Sequence, residues 1–217
     1  MTKYGIFIIE SLRSEDFFDG DNLSDVLALS EIETEYHWID SSEDLKLKLE
    51  EFEASQYRYL HLSCHADLKG IEINGEDISY DSFSGMIGQK LNGKRLFLAA
   101  CKAGNIDFAA RAIYKNHAMS VIGTPIDLYF KKSVLFWPVF YHVLHEIDEK
   151  KMNRESIKTT LQKCVDLLGV PINYYSWIKN DSHKMRRLRF RKNRSTQNDL
   201  IDIIYKPIKI DARKKSK

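Results

Sequence analysis

The 217 residues are 43% hydrophobic and 29% charged, with 10 Gly and 4 Pro, a composition that excludes disordered, collagen-like and fibrous classes. At close to one and a half times the ~150 residues of an average domain, the chain has room for one α/β unit with an appendage. The net charge of +2 hides an asymmetry: residues 1–60 carry 15 acidic against 5 basic side chains, and residues 183–217 carry 3 against 13, so the basic end can meet an anionic partner or the chain's own acidic first third.

No apolar run reaches the roughly 20 residues that span a bilayer. Met1 to Ile9 runs straight into Glu10 without a small-residue cleavage site. The expectation is a cytoplasmic, unprocessed protein without membrane association. Cys64, Cys101 and Cys164 are an odd number without framework spacing, which argues against disulfides and leaves a reactive thiol in play.

Tyr4 to Ile9 is a continuous apolar run of strand length, followed by the polar loop SEDFFDGDN. Asn22 or Ser24 can cap a helix with Leu23, Val26 and Leu27 on one face, and Tyr36 to Ile39 reads as a second strand. Ser41 with Asp44 opens a further helix, carrying Leu45, Leu49 and Phe52 at helical spacing. Tyr57 to Ser63 is the third strand, apolar on both faces as in a covered parallel sheet. Ile71 to Ile73 and Ile78 flank Asn74-Gly75, a hairpin signal, before a helix over Tyr80 to Leu91.

Arg95 to Ala100 forms the fourth strand, Asp107 to Tyr114 a short helix and Ser120 to Ile122 the fifth strand. Ser133 to Ile147 is a strongly apolar helix interrupted at Pro138, and Glu155 to Leu168 a last helix stopped by Gly169 and Pro171. Strands alternating with helices in this way predict a doubly wound, mostly parallel sheet in a three-layer α/β/α sandwich. Residues 1–182 form that domain, and 183–217 a basic arm packed on or extending it. In the arm, Arg187, Arg189 and Arg191 alternate with Leu188 and Phe190, and Leu200 to Tyr205 is a second β-like run.

In open parallel sheets the functional crevice lies beyond the carboxyl ends of the strands. His65 follows the third strand and Cys101 the fourth, 36 positions later, which would bring an imidazole and a thiol to neighbouring loops. A thiol nucleophile and its general base need that neighbourhood. A buried cysteine and a hydrogen-bonded core histidine are the bland readings of the same two residues.

The stretch Tyr59-Leu60-His61-Leu62-Ser63-Cys64-His65-Ala66, followed by Leu96-Phe97-Leu98-Ala99-Ala100-Cys101-Lys102-Ala103-Gly104, resembles the caspase-like cysteine peptidases, most closely their bacterial CHAT-domain branch. Val121-Ile122-Gly123-Thr124-Pro125 and the helix carrying Phe140-Tyr141 continue the likeness, which spans about residues 55–150. The resemblance implies His65 as general acid/base, Cys101 as nucleophile, and the backbone N–H groups of Ala66 and Cys101 as an oxyanion hole. The family usually has Gly where Ala66 stands; alanine keeps the donor but loses access to positive φ. The caspase pattern Gln-Ala-Cys-x-Gly is met only loosely by Ala100-Cys101-Lys102-Ala103-Gly104.

Asp127, two residues after Pro125, lies where such folds border the pocket for the residue before the scissile bond, and a carboxylate there would favour Arg or Lys. It reads equally as a turn former. Tyr129, Phe130 and Trp137 would line an apolar pocket or belong to the core. A phosphatase loop would want Arg where Asp107 stands, and papain-like enzymes place Cys before His. No metal site is expected, because His61 and Cys64 fall on opposite strand faces, and no Gly-rich nucleotide motif is present, so no cofactor is expected.

The expected function is a cysteine endopeptidase acting on polypeptide substrates, a regulated effector of bacterial immunity or cell death by resemblance. Its switch would be an activating protein or an anionic signalling molecule held near Arg187, Arg189 and Arg191. The alternatives are a scaffold that keeps the fold without turnover and works through the basic arm, or a nucleic-acid binder, which the acidic first third disfavours.

Overall fold

The computed structural model of the chain describes residues 3–178, 181–192 and 203–205. Among the described residues, ten strands join one sheet. β1 (Lys3–Ser11), β2 (Thr34–Trp38), β3 (Tyr57–Ala66), β6 (Arg95–Ala99) and β7 (Ser120–Gly123) run parallel, in the spatial order β7-β6-β3-β1-β2. β8 (Ile172–Ile178), β9 (Asp181–Phe190) and β10 (Ile203–Tyr205) extend the sheet antiparallel beyond β7. The hairpin β4 (Gly70–Ile73) and β5 (Glu76–Ser79) pairs with the end of β3, where His65 faces Glu72 and Ala66 faces Ile71.

Alternation along each strand divides the core into two halves, as the pleat requires. Phe7, Ile9, Leu60, Leu62, Leu96 and Leu98 point to the face covered by α2 (Ser42–Ala54), α3 (Tyr80–Ile87) and α4 (Ile106–Ala110). Ile6, Ile8, Tyr59, Phe97 and Ile122 point to the face covered by α1 (Asp19–Leu29), α5 (Phe130–Ile147) and α6 (Arg154–Leu168). Helices on both faces of a mostly parallel sheet make the three-layer α/β sandwich expected from the alternation of elements. Phe97 sits at its centre, in ring contact with Tyr59, Trp137, Phe140 and Tyr141. Truncating it to alanine would cost about 3–5 kcal/mol.

The caps explain most helix boundaries. The Ser41 hydroxyl accepts from the N–H of Asp44 at 3.1 Å, and the Asn153 side chain accepts from the N–H groups of Glu155 and Ser156. α6 ends at Gly169 with φ +69°, where glycine takes the left-handed conformation at no steric cost. α3 stops at Gly88, short of the expected Leu91. α4 is followed by a π-helical turn at Arg111–Lys115. α5 runs unbroken through Pro138, contrary to the interruption expected there. Phe136, Trp137, Phe140 and Tyr141, all buried around the proline, hold the helix against the roughly 3 kcal/mol a mid-helix proline costs.

β8 was not among the expected elements. It carries Asn173, Tyr174 and Tyr175 into the interior and makes β9 a strand of the same sheet. Of the expected β-like run Leu200 to Tyr205, residues 203–205 form β10 and residues 200–202 lie outside the described residues. No helix among the described residues is long and apolar enough to cross a membrane.

Candidate active site

Four parallel strands deliver their carboxyl ends to one cleft. β3 ends in Cys64-His65-Ala66, β6 leads into Ala100-Cys101, β1 leads into the loop holding Asp16, and the segment after β7 reaches Leu128. β1 lies between β2 and β3, so the chain reverses direction across the sheet beside this end, where open α/β sheets bind ligands. The cleft has a volume of about 180 Å³, and His65 and Cys101 both line it, together with Asp19, Leu128, Tyr129 and Phe130. The juxtaposition of imidazole and thiol expected from strand order is therefore present.

His65 has a partner that sequence reading missed. Its Nε2 lies 2.7 Å from Oδ2 of Asp16. With Nε2–H donated to that carboxylate, the lone pair of the neutral ring is on Nδ1. Asp16 is itself fixed: its carboxylate accepts the N–H of Arg13 at 3.1 Å, and the Arg13 guanidinium donates twice to Glu72 on β4, at 2.9 and 2.7 Å. The loop after β1 is thus fastened to the hairpin that follows His65. The Phe130 ring meets the imidazole edge-on, 6.1 Å between centroids.

Cys101 is partly exposed, whereas Cys64 and Cys164 are buried. Burial pushes the Cys64 thiol far above its ordinary range, so it is an inert hydrophobe of the core. The sulfur of Cys101 accepts the N–H of Leu128 at 3.2 Å and lies 3.5 Å from its carbonyl oxygen. Lys102, the next residue, takes φ +55°, uncommon for a side-chain-bearing residue, with its N–H donating to Ile126 O at 2.9 Å. Gly104 closes the turn: a Cβ there would stand 2.2 Å from the carbonyl oxygen of Gly123, so only glycine fits.

The remaining expected site residues divide as follows. Ala66 has ordinary strand backbone and no positive φ, so its methyl is accommodated. Asp127 does not line the cleft; its carboxylate pairs with Lys102 at 2.8 Å and is 65% exposed. Tyr129 and Phe130 line the cleft, and Trp137 belongs to the core. Arg187 and Arg189 lie on β9. Arg191 turns inward, its guanidinium donating to the carbonyls of Phe190 and Ile172 and to Oδ1 of Asn173. His61 bonds Tyr141 through Nδ1 at 3.0 Å, and burial lowers its pKa to about 3, so it stays neutral and structural.

Two buried carboxyl groups meet at the cleft: Asp19 lines it, and Glu10, which does not, is hydrogen-bonded to Asp19. Asp19, in the first turn of α1, accepts the hydroxyls of Ser63 and Ser133. Glu10, near the end of β1, accepts the N–H groups of Gly20 and Asp21 and the hydroxyl of Tyr36. Desolvation raises both; Glu10 reaches about 7 despite the opposing N–H of Gly20, and Asp19 rises despite the serine hydroxyls.

A metal ion could be held elsewhere: ligand atoms of Glu35, His37 and Glu51 lie within 4.8 Å of one another on β2 and α2, away from the thiol. Compared with models of known protein families and with curated proteins, the chain has no match. The chemistry of the cleft therefore carries the functional reading.

Proposed function

We propose that the protein is a cysteine endopeptidase of caspase-like type, in which Cys101, His65 and Asp16 act as nucleophile, acid/base and orienting carboxylate. The observation that carries this reading is the 2.7 Å contact of His65 with Asp16 in the cleft that also holds Cys101. A nucleophile and base at one cleft, with the base oriented by a third group, is the arrangement that covalent acyl transfer requires.

The steps follow from it. Nδ1 of His65 takes the Sγ proton, and the thiolate attacks the peptide carbonyl carbon. The resulting oxyanion is received by N–H groups at the strand ends, with Cys101 and Ala66 as the donors implied by the resemblance. Imidazolium, held in orientation by Asp16, protonates the leaving amine as the C–N bond breaks. His65 then takes a proton from water, whose oxygen attacks the acyl-thioester to release the carboxylate and restore the thiol.

A role as a switched effector in bacterial immunity or cell death rests on the family resemblance, with an activating protein or an anionic signalling molecule as the switch. Incubation of wild type, Cys101→Ala and His65→Ala with peptidyl acyloxymethyl ketones, read by intact mass, tests the catalytic reading. The expected result is one adduct on Cys101 that requires His65. A folded wild type that takes no adduct, alone or with the products of neighbouring genes, sinks it and favours the scaffold reading.

A further inference from the structure

A smaller pocket of about 50 Å³ lies at the amino ends of the parallel strands, at the opposite end of the sheet from His65 and Cys101. Arg58 and Tyr59 reach it from the start of β3, Arg95 from the start of β6, Gly93 and Met119 from just before β6 and β7, and Lys151 from the loop between α5 and α6. The strand register sets Arg95 beside Tyr59. The Tyr59 hydroxyl donates to the Lys151 carbonyl at 3.1 Å, which pins the loop to the strands. Among the described residues, three cations and no carboxylate line this space.

Arg95 is the unusual member. It is 7% exposed, and its Nη1 donates to two neutral groups, the hydroxyls of Ser120 at 2.9 Å and Tyr174 at 3.4 Å. Its Nε–H and Nη2 hydrogens have no partner among the described residues, yet neither nitrogen is sealed in the core. Both therefore face open space, and the space that Arg95 lines is this pocket. A buried guanidinium is ordinarily paired, because an uncompensated charge in the interior is strongly destabilising. Here no carboxylate among the described residues pairs with Arg58, Arg95 or Lys151. Asp148, in the same loop as Lys151, spends its oxygens on the N–H groups of Lys151 and Asn153 and the hydroxyl of Ser156. Arg58 uses only Nη2, on the Gly93 carbonyl at 3.2 Å and the Met119 sulfur at 3.9 Å.

We propose that this pocket is a receptor for a phosphate dianion, free or as the terminal group of a small ester, held by Arg58, Arg95 and Lys151. The unused Nε–Nη2 edge of Arg95 is the planar fork that grips two phosphate oxygens at once. A volume of about 50 Å³, against the ~30 Å³ of a water molecule, takes one tetrahedral group and leaves the rest of an ester outside, past the exposed Lys151 and Met119. Three cations suit a dianion better than the single charge of a phosphodiester, whose two ester oxygens would both have to leave through the mouth. The site does not rest on the peptidase reading. It also stands apart from Arg187, Arg189 and Arg191, where the sequence leads one to expect an anionic partner.

The test follows the Nε–H signal of Arg95 by NMR in the full chain, at constant ionic strength and above the second pKa of a phosphate ester, about 6. Inorganic phosphate, methyl phosphate, phenyl phosphate and dimethyl phosphate are added in separate titrations. The expected result is a saturable shift with the dianions and binding about tenfold weaker for dimethyl phosphate. Arg95→Lys, which keeps the charge and loses the fork, should weaken binding about tenfold, and Arg58→Gln and Lys151→Gln each by about threefold or more. Tighter binding of the two monoesters than of inorganic phosphate identifies an ester as the ligand, and the reverse identifies the free ion. No saturable shift with any dianion overturns the proposal, as does equal binding of dimethyl phosphate or tighter binding of a short DNA oligonucleotide. Should Arg95→Lys fail to fold, Arg58→Gln and Lys151→Gln decide, and unchanged affinity in both overturns the site.

Discussion

The side-chain amide of Asn173 on β8 donates to the carbonyl oxygen of Gly104 at 2.8 Å, tying the antiparallel end of the sheet to the loop that carries Cys101. The Tyr175 hydroxyl reaches the same oxygen at 3.2 Å, and Arg191 holds Oδ1 of Asn173 at 3.2 Å. The strand pair β8 and β9 therefore braces the nucleophile loop from outside the cleft.

Asn173→Ala removes the brace and leaves the Gly104 carbonyl with Tyr175 alone. The expected loss is about 1–2 kcal/mol of stability, the cost of a buried hydrogen bond. The alkylation rate of Cys101 by iodoacetamide should change in the same variant, because the loop no longer holds the sulfur in place against Leu128. Urea titration and alkylation rates by mass spectrometry read the two effects; an unchanged alkylation rate would confine Asn173 to stability.

Asp16→Asn keeps the size of the orienting group and removes its charge. Imidazolium then forms without a counter-charge, and an amide can present its NH₂ to Nε2 and favour the wrong tautomer. Peptide turnover should fall by about 10²–10⁴-fold, with the melting temperature nearly unchanged because Arg13 and Glu72 still pin the loop. Equal turnover in both proteins would remove Asp16 from the mechanism.

Glu10 makes stability depend on pH. Burial raises its folded value to about 7 from 4.5, so the folded state binds the proton more tightly and the stabilisation is complete below about 4.5 and lost as pH rises through 7. His61 works in the opposite direction: its folded value of about 3, against 6.5, costs stability as pH falls below 6.5. The two slopes oppose each other between 4.5 and 6.5. The difference between wild type and Glu10→Gln isolates the carboxyl: wild type should lose on the order of 1–3 kcal/mol relative to the variant between pH 4.5 and 8. Urea midpoints at four pH values measure it, and parallel curves would mean that Glu10 keeps an ordinary carboxylate value.

Gly104→Ala should be among the costliest single-methyl additions in the chain. The new Cβ would meet the Gly123 carbonyl oxygen at 2.2 Å, backbone against backbone, with no flexible side chain to yield. Overpacking of this kind costs about 1–3 kcal/mol or more. The nucleophile loop must also shift, so the melting temperature and Cys101 reactivity should fall together. A fully reactive, fully stable Gly104→Ala would show that the loop can move away freely.

The parallel strands were legible because β1, β3 and β6 are unbroken apolar runs ending at polar or small residues, and that order alone placed His65 and Cys101 on neighbouring loops. β8 was not, although Ile172 to Ile178 is rich in β-formers after Pro171; antiparallel closure of an otherwise parallel sheet breaks the alternation used to find strands. Asp16 and Asp19 escaped because they sit in SEDFFDGDN, whose polarity reads as a solvated loop. Only tertiary contact separates Asp19, buried at 5% exposure, from exposed Asp127. Glu10 carried the one available signal: a carboxylate closing an apolar strand needs partners in the folded protein.

Asp16 and Asp19 stand three positions apart, on either side of the point where the loop after β1 becomes α1. One short segment thus both steers the imidazole and lines the cleft, so an insertion or deletion between the two positions would displace the base and reshape the cleft together.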